Sequence, residues 1–455
     1  MLKLKGQVGL TSTITMNNKY PFYFLILSLC SLMMGLFFGL SASLQYIFPE
    51  LFKNFTPFSM IRPLHVTSVL SWILLGAIGS IYFFLNKKNS TTNSNRLLKF
   101  HLFLYLLLGI IIIFSYFMGY MTGREYLAFS PVLIIPILLG WVIFGIIFFK
   151  TLLGKIKNWP VYYWMWGTGI VFMIYHLCEA QLWLLDDFRD HFTKNMTVQW
   201  KSYGSFTGSW NMLVYGISIY VMSKITDNKV MVHSKKVFFF FYLGLINLMF
   251  GWAHHTYFLP SPTWVRYLAY IVSMLEWIVL ISIIYDWKQT LKIKENHNYH
   301  ISVKFLKTTD LWIFLNLLLA LLISIPAVNY FTHGTHITVA HSMGTTIGIN
   351  TTILFSSFFY IVGDIKLQNQ KITNKIKKGL LFFNISLMSF ILTLLIAGVK
   401  KSYWTHYSDS SIFSRMQDSQ YFVYVFLFLS GICLATSIYM IVIPLLKKII
   451  RIVND

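Results

Sequence analysis

The chain has 455 residues, of which 56% are hydrophobic and only 11% are charged, so it has too little polar side chain to cover a soluble globule of its size. Its net charge of +22 would suit a protein that binds nucleic acid, but the lysines and arginines lie in alternate loops between apolar runs, a pattern typical of membrane proteins. Membrane lipid is therefore the expected surrounding, and nucleic acid is not an expected partner.

Apolar runs recur along the whole chain, and each is long enough to cross a bilayer of roughly 30 Å as an α-helix. The sequence predicts an all-α integral membrane protein with about twelve transmembrane helices, which form a single transmembrane domain over residues 1–455. The predicted helices cover residues 20–46, 60–86, 97–119, 129–153, 159–185, 203–225, 236–257, 264–287, 308–332, 336–363, 378–399 and 420–446.

The distribution of positive charge predicts the orientation of these helices. Cytoplasmic loops carry an excess of lysine and arginine, and here that excess lies at the ends of the even-numbered helices. Both termini are then cytoplasmic, and the protein is expected to be a multi-pass protein of a bacterial inner membrane. The lysines that define this side include Lys87, Lys88, Lys235, Lys236, Lys375, Lys377, Lys378 and Lys447.

Four histidines share one depth near the outer ends of the predicted helices. His65 lies just inside the second helix, His254 and His255 end the seventh, and His341 lies just inside the tenth. A single membrane histidine often only hydrogen-bonds a neighbouring helix, but four at one level indicate a metal site. Neutral imidazole binds iron, copper and zinc alike, so the pair alone does not identify the metal.

Met343 follows His341 by two residues in the tenth helix. Residues two apart on a helix project to opposite faces, so the two side chains could each ligate a different heme. The alternative is that Met343 fills space in an apolar helix, as methionine often does.

Several motifs resemble the large subunit of the cytochrome-dependent nitric oxide reductases, within the heme-copper oxidase superfamily. They are Gly-Leu-Ser-Ala-Ser-Leu-Gln-Tyr-Ile-Phe-Pro at residues 39–49, Arg62-Pro-Leu-His65, Gly123-Arg124-Glu125-Tyr126, Gly251-Trp-Ala-His254-His255-Thr-Tyr-Phe, and Thr332-His333-Gly-Thr with Ala340-His341. The resemblance covers nearly the whole chain and implies a heme-copper oxidase subunit I-like helix bundle.

The resemblance implies two b-type hemes, one low-spin and one high-spin, and a non-heme iron, with copper as the alternative metal. His65 would be an axial ligand of the low-spin heme and His341 the proximal ligand of the high-spin heme. His254 and His255 would bind the non-heme metal. Glu276, in the eighth predicted helix, corresponds to an active-site carboxylate of the family that can transfer protons.

The chain departs from the family pattern at two ligand positions. Met343 stands where the family has the second histidine of the low-spin heme, which predicts His/Met ligation and a raised reduction potential. The third histidine of the non-heme metal is also missing from the sixth helix. His176 and Glu179, which face one way on the preceding helix, are candidate replacements, and a polar contact between helices is the alternative.

The resemblance also concerns a calcium site near the heme propionates. Glu125, beside Arg124, corresponds to a glutamate that helps to hold this ion in the family. Ala128 stands where the family has a second carboxylate, so a complete calcium site is not expected.

The implied activity is the reduction of nitric oxide to nitrous oxide. Oxygen-reducing relatives carry a tyrosine near the histidine pair, and Leu248 stands at one of its expected positions. Reduction of oxygen at a heme-copper centre is the first alternative, and a proton or ion transporter without redox activity is the second. Cys30, Cys178 and Cys433 form no heme-attachment motif, so electrons are expected from a cytochrome c-type subunit or a soluble redox donor on the outer face.

Overall fold

The computed structural model describes residues 19–86, 92–260, 262–293, 299–363, 370–408 and 412–454. Within them, helices occupy all twelve predicted segments and no strand occurs. This is the expected result for a chain in lipid, where every backbone polar group must be bonded within its own segment or barrel. The helices are α1 (Tyr20–Ile47), α2 (Phe58–Asn86), α3 (Thr92–Phe117), α4 (Ile134–Leu152), α5 (Val161–Glu179), α6 (Phe192–Thr226), α7 (Lys235–Phe250), α8 (Thr263–Ile293), α9 (His300–Ser324), α10 (His336–Val362), α11 (Gln370–Tyr407) and α12 (Tyr421–Asn454).

Ten of these helices are long and apolar enough to cross a membrane, and α5 and α6 are the two that fall short. Aromatic residues replace much of the aliphatic content in α5, and polar residues occupy the first turns of α6. The all-α membrane fold is confirmed, whereas the number of twelve spans stays a prediction. Helix α6 begins at Phe192 rather than at residue 203, because hydropathy detects only its apolar part.

Small residues bring α1 and α2 into close contact. A side chain at Gly35 would lie 2.8 Å from Cγ2 of Val69, and one at Gly39 would lie 2.8 Å from Nδ1 of His65. The two glycines are four residues apart and therefore lie on one face of α1, the arrangement that allows membrane helices to approach closely. The position of His65 is thus set by α1.

Helix α10 changes its winding directly after His341. It starts as an α-helix over His336–Met343, continues as a π-helix over Gly344–Thr351 and returns to an α-helix over Thr352–Val362. A π-helical segment is rare and often accompanies a functional site.

Buried hydroxyl groups tie the inner part of α10 to its neighbours. Trp72 of α2 donates to the hydroxyl of Thr351 over 3.0 Å, and Thr309 of α9 lies 2.8 Å from Thr352. Such bonds satisfy polar groups in the apolar interior and fix helices against one another. They hold α2, α9 and α10 in register, so the helices that carry His65 and His341 keep a defined relation.

Candidate metal and heme site

His65 is prepared for metal binding by its contact with α1. Its Nδ1 lies 2.8 Å from the carbonyl oxygen of Gly35, so Nδ1 carries the proton and donates. The lone pair of the ring is then on Nε2. Metal-binding histidines usually show this arrangement, with the second nitrogen bonded to a carbonyl or a carboxylate, and the half-buried imidazole of His65 fits an axial ligand of heme.

His254 and His255 lie where α7 loosens at its end. The α-helix stops at Phe250, and residues Gly251–Thr256 form a 3₁₀ turn. The two imidazole rings are 4.2 Å apart between centroids with an interplanar angle of 43°. Nδ1 of His254 is buried and has no hydrogen-bond partner among the described residues. A pair of neutral imidazoles with an unused buried nitrogen fits a bound metal ion.

Other aromatic and imidazole side chains surround this pair. His341 and His333 are close enough to interact electrostatically with His254. Trp200 of α6 stacks on His255 with ring centroids 5.6 Å apart and an interplanar angle of 11°, and it meets His333 edge-on at 5.9 Å. Burial lowers the pKa of His333, so its imidazole is neutral at physiological pH. The structure thus brings His254, His255, His333 and His341 into one neighbourhood.

Helix α9 holds the start of α10 through Asn316. In its favoured orientation the side-chain amide donates to the carbonyl oxygen of His341 over 3.0 Å and accepts from the hydroxyl of Thr345 over 2.8 Å. A side chain at Gly344 would overlap Asn316, so glycine is needed for this approach. Met343 is partly buried and packs against the hydrophobic core, and its role as a heme ligand stays a prediction.

Glu125 is paired with an arginine of α2. Nη2 of Arg62 lies 2.7 Å from Oε1 and 2.6 Å from Oε2 of Glu125, so one guanidinium group reaches both carboxylate oxygens. Burial raises the pKa of the neighbouring Tyr126 to about 12, so this phenol stays protonated. With Ala128 as the only other residue implied by the resemblance, the side chains do not fit a calcium site.

Arg124 points to another part of the same region. Its Nη1 donates to Asn195 over 2.7 Å and to Gln199 over 3.2 Å, both in α6. Its guanidinium group also lies 4.4 Å from the ring centroid of Trp183. Arg124 therefore ties the connection between α3 and α4 to the first turns of α6.

His176 and Glu179 contact each other rather than the histidine pair. Nδ1 of His176 lies 2.9 Å from Oε2 of Glu179, and Oε1 of Glu179 accepts from Lys201. Nε2 of His176 is buried without a hydrogen-bond partner among the described residues. No three His, Cys, Asp or Glu side chains within those residues group closely enough to hold a metal, so the replacement of the third ligand by His176 and Glu179 stays a prediction.

Glu276 belongs to α8, but its side chain lies outside the described residues. Sequence reasoning also left three residues of this region without a role, namely Trp200, His333 and Arg62. His333 and Arg62 stand within the motifs that carry the family resemblance, which was the available signal. Trp200 had no such signal, because no pattern in the sequence predicts which ring of α6 stacks on His255.

Comparison with known proteins places this geometry in a family. The profile of cytochrome c and quinol oxidase polypeptide I matches residues 20–442. A nitric oxide reductase polypeptide of Stutzerimonas stutzeri is 23% identical over 392 residues, which are 80% of each protein. A heme-copper terminal oxidase dimer solved by cryo-electron microscopy shares the fold, with a TM-score of 0.71 and 13% identity over 95% of this chain and 84% of that one. The chain therefore belongs to the cytochrome c and quinol oxidase polypeptide I family and is an oxidoreductase of the heme-copper oxidase superfamily.

Proposed function

We propose that this oxidoreductase reduces nitric oxide to nitrous oxide at a centre formed by a high-spin heme and a non-heme metal ion. The observation that carries the proposal is the pair of imidazoles of His254 and His255, 4.2 Å apart and within electrostatic reach of His341. In the overall reaction, two molecules of nitric oxide take up two electrons and two protons and give one nitrous oxide and one water. When bound, the heme and the second metal supply the redox chemistry and orient the substrate.

Each histidine has a separate role in this proposal. His65 and Met343 hold the low-spin heme, and the bond from His65 to Gly35 leaves Nε2 free for the iron. His341 holds the high-spin heme, and Asn316 fixes its backbone. His254 and His255 hold the second metal so that two nitrogen atoms meet between the metals, which is a positioning effect.

The surroundings of Leu248 favour nitric oxide over oxygen as the substrate. Leu248 is buried against α6, where Ser205 donates to its carbonyl oxygen over 2.7 Å and Gly208 faces its side chain. This position therefore offers no phenol to the histidine pair. We propose non-heme iron as the second metal, with copper as the outcome that would point to an oxidase.

Electrons and protons must reach the centre from other groups. We propose that a cytochrome c-type subunit or a soluble redox donor docks at the end of the bundle that carries the histidines. Glu276 is proposed to pass protons to the substrate. The charge pattern of the loops supports an inner-membrane location with this end facing outward.

The proposal is tested by anaerobic consumption of nitric oxide by the purified protein with a chemically reduced donor. We expect one nitrous oxide for every two molecules of nitric oxide, two hemes and a second kind of iron. Replacing His254 by alanine is expected to remove the second metal and the activity while both hemes remain. His191→Ala serves as the control, because that side chain is 64% exposed. Copper at parity with heme, together with rapid oxygen uptake and no nitrous oxide, would contradict the proposal.

A further inference from the structure

Trp200 faces the candidate metal site from α6. Its ring lies nearly parallel to that of His255, with centroids 5.6 Å apart, and it meets the ring of His333 edge-on at 5.9 Å. The indole therefore stands beside one proposed metal ligand and close to a second imidazole. Helix α6 is also the helix from which the third histidine of the metal site is missing.

The indole nitrogen of Trp200 has an unused hydrogen-bonding capacity. Nε1 is shielded from solvent and has no partner among the described residues, and Nδ1 of His254 is in the same state. Buried donors are normally bonded, and one left unpaired is costly. An indole nitrogen donates but cannot ligate a metal ion. The natural partner of this N–H is thus an acceptor atom that enters the site.

We propose that Trp200 donates a hydrogen bond to the diatomic ligand held between the high-spin heme and the second metal. This inference rests on the proposed function and deepens it. Helix α6 then contributes a donor where relatives contribute a third imidazole, and the chain supplies the metal with His254 and His255 alone. Donors fixed in place at the point where negative charge develops are a major source of catalysis, and nitric oxide gains negative charge as it takes up electrons. The indole keeps its proton throughout, and no covalent bond to it forms or breaks.

The test uses the reduced holoprotein with carbon monoxide and the oxidised holoprotein with fluoride. A hydrogen bond to the oxygen of bound carbon monoxide weakens the carbon–oxygen bond, so Trp200→Phe is expected to raise its infrared stretching frequency. The same variant is expected to raise the Kd for fluoride about tenfold, the usual effect of losing one hydrogen bond to a charged ligand. Trp200→Tyr keeps an aromatic ring with a donor and is expected to retain a frequency nearer to that of the unmodified protein.

Trp210→Phe is the matched control. Trp210 lies on the same helix, is 2% exposed and also has an indole nitrogen without a partner among the described residues. Its ring contacts Phe206 and Tyr126 rather than the histidines. We expect this variant to leave both the infrared band and the fluoride affinity unchanged.

Two results would overturn the inference. The first is a Trp200→Phe protein with normal heme and metal content whose infrared band and fluoride affinity equal those of the unmodified protein. The second needs no variant. Exchange of the unmodified protein into deuterium oxide shifts the band when an N–H bonds the ligand, and an unshifted band argues against the donor even if Trp200→Phe assembles without heme. A protein that carries no heme at all would instead contradict the proposed function.

Discussion

Gly39 shows how one residue sets the position of a heme ligand. A Cβ atom there would lie 2.8 Å from Nδ1 and 2.9 Å from Cε1 of His65, closer than real contacts allow. The imidazole must move, and the bond between His65 and Gly35 is then lost. The first prediction is that Gly39→Ala removes most of the low-spin heme signal from the reduced-minus-oxidised spectrum while the high-spin signal stays.

Gly109 provides the control for this substitution. It lies within α3 and has no atom within 4 Å of the position of an added Cβ. Alanine also favours the helix over glycine by about 1 kcal/mol, so Gly109→Ala is expected to leave the spectrum unchanged. Equal low-spin heme in both variants would contradict the assignment of His65 as the ligand that α1 positions.

Met343 gives the second prediction, on the potential of the low-spin heme. Thioether ligation raises the reduction potential relative to ligation by two histidines. Met343→His is therefore expected to lower the midpoint potential and to give a bis-histidine spectrum. Met343→Leu keeps the volume and removes the ligand, so part of this heme is expected to become high-spin. An unchanged potential and spectrum in both variants would show that Met343 only packs.

At the scale of elements, Arg62 and Glu125 connect α2 to the segment between α3 and α4. The guanidinium group supplies a positive charge to both oxygens of Glu125, the service that a calcium ion would otherwise provide. The third prediction is that the chelator EGTA changes neither the visible spectrum nor the thermal stability of the purified protein. A spectral change reversed by added calcium would contradict it.

The same pair predicts the effect of a substitution. The Arg62 side chain is 49% exposed and that of Glu125 is 26% exposed, so solvent screens much of their attraction. The fourth prediction is that Glu125→Gln lowers the free energy of unfolding by no more than about 1 kcal/mol. Glu50→Gln is the control, because its pairing with Lys53 is fully on the surface and its loss is expected to have no measurable effect. A much larger loss in Glu125→Gln would indicate a further cation at this carboxylate.

Helix α10 shows what the sequence could and could not predict at this scale. Its apolar run predicts a helix near residues 336–363, and the structure has one over His336–Val362. The π-helical segment at Gly344–Thr351 was not predictable, because it depends on how Asn316 and Trp312 of α9 pack against Gly344 and Gly348. The local pattern sets the element, whereas a neighbouring helix sets its winding.

The candidate site follows the same division at the scale of the whole molecule. Counting residues from the helix ends predicted that His254, His255 and His341 share one level, and they are neighbours in the structure. The pairing of Glu179 with Lys201 and the stacking of Trp200 on His255 were not predicted. Both contacts depend on the rotation of α6 about its own axis, which α5 and α7 determine through packing.

The number of membrane spans is decided by α5 and α6, the two helices of lower hydropathy. If both cross the membrane, the connection between them lies outside, on the side of the α1–α2 connection. If neither crosses, that connection lies with the cytoplasmic loops. Leu185 stands in this connection and is 55% exposed, so a cysteine there reports directly on the alternative.

The fifth prediction uses three single cysteines in a background without Cys30, Cys178 and Cys433. Phe55→Cys and Leu185→Cys are expected to react with a membrane-impermeant thiol reagent added to intact spheroplasts. Val230→Cys is expected to react only after lysis, because Lys224, Lys229, Lys235 and Lys236 flank it and favour the cytoplasmic side. Phe55 and Val230 are 81% and 80% exposed, so a difference in labelling reports sidedness rather than burial. Protection of Leu185→Cys alongside Val230→Cys would reduce the spans to ten, and labelling of Val230→Cys alone would invert the bundle and place the histidines toward the cytoplasm.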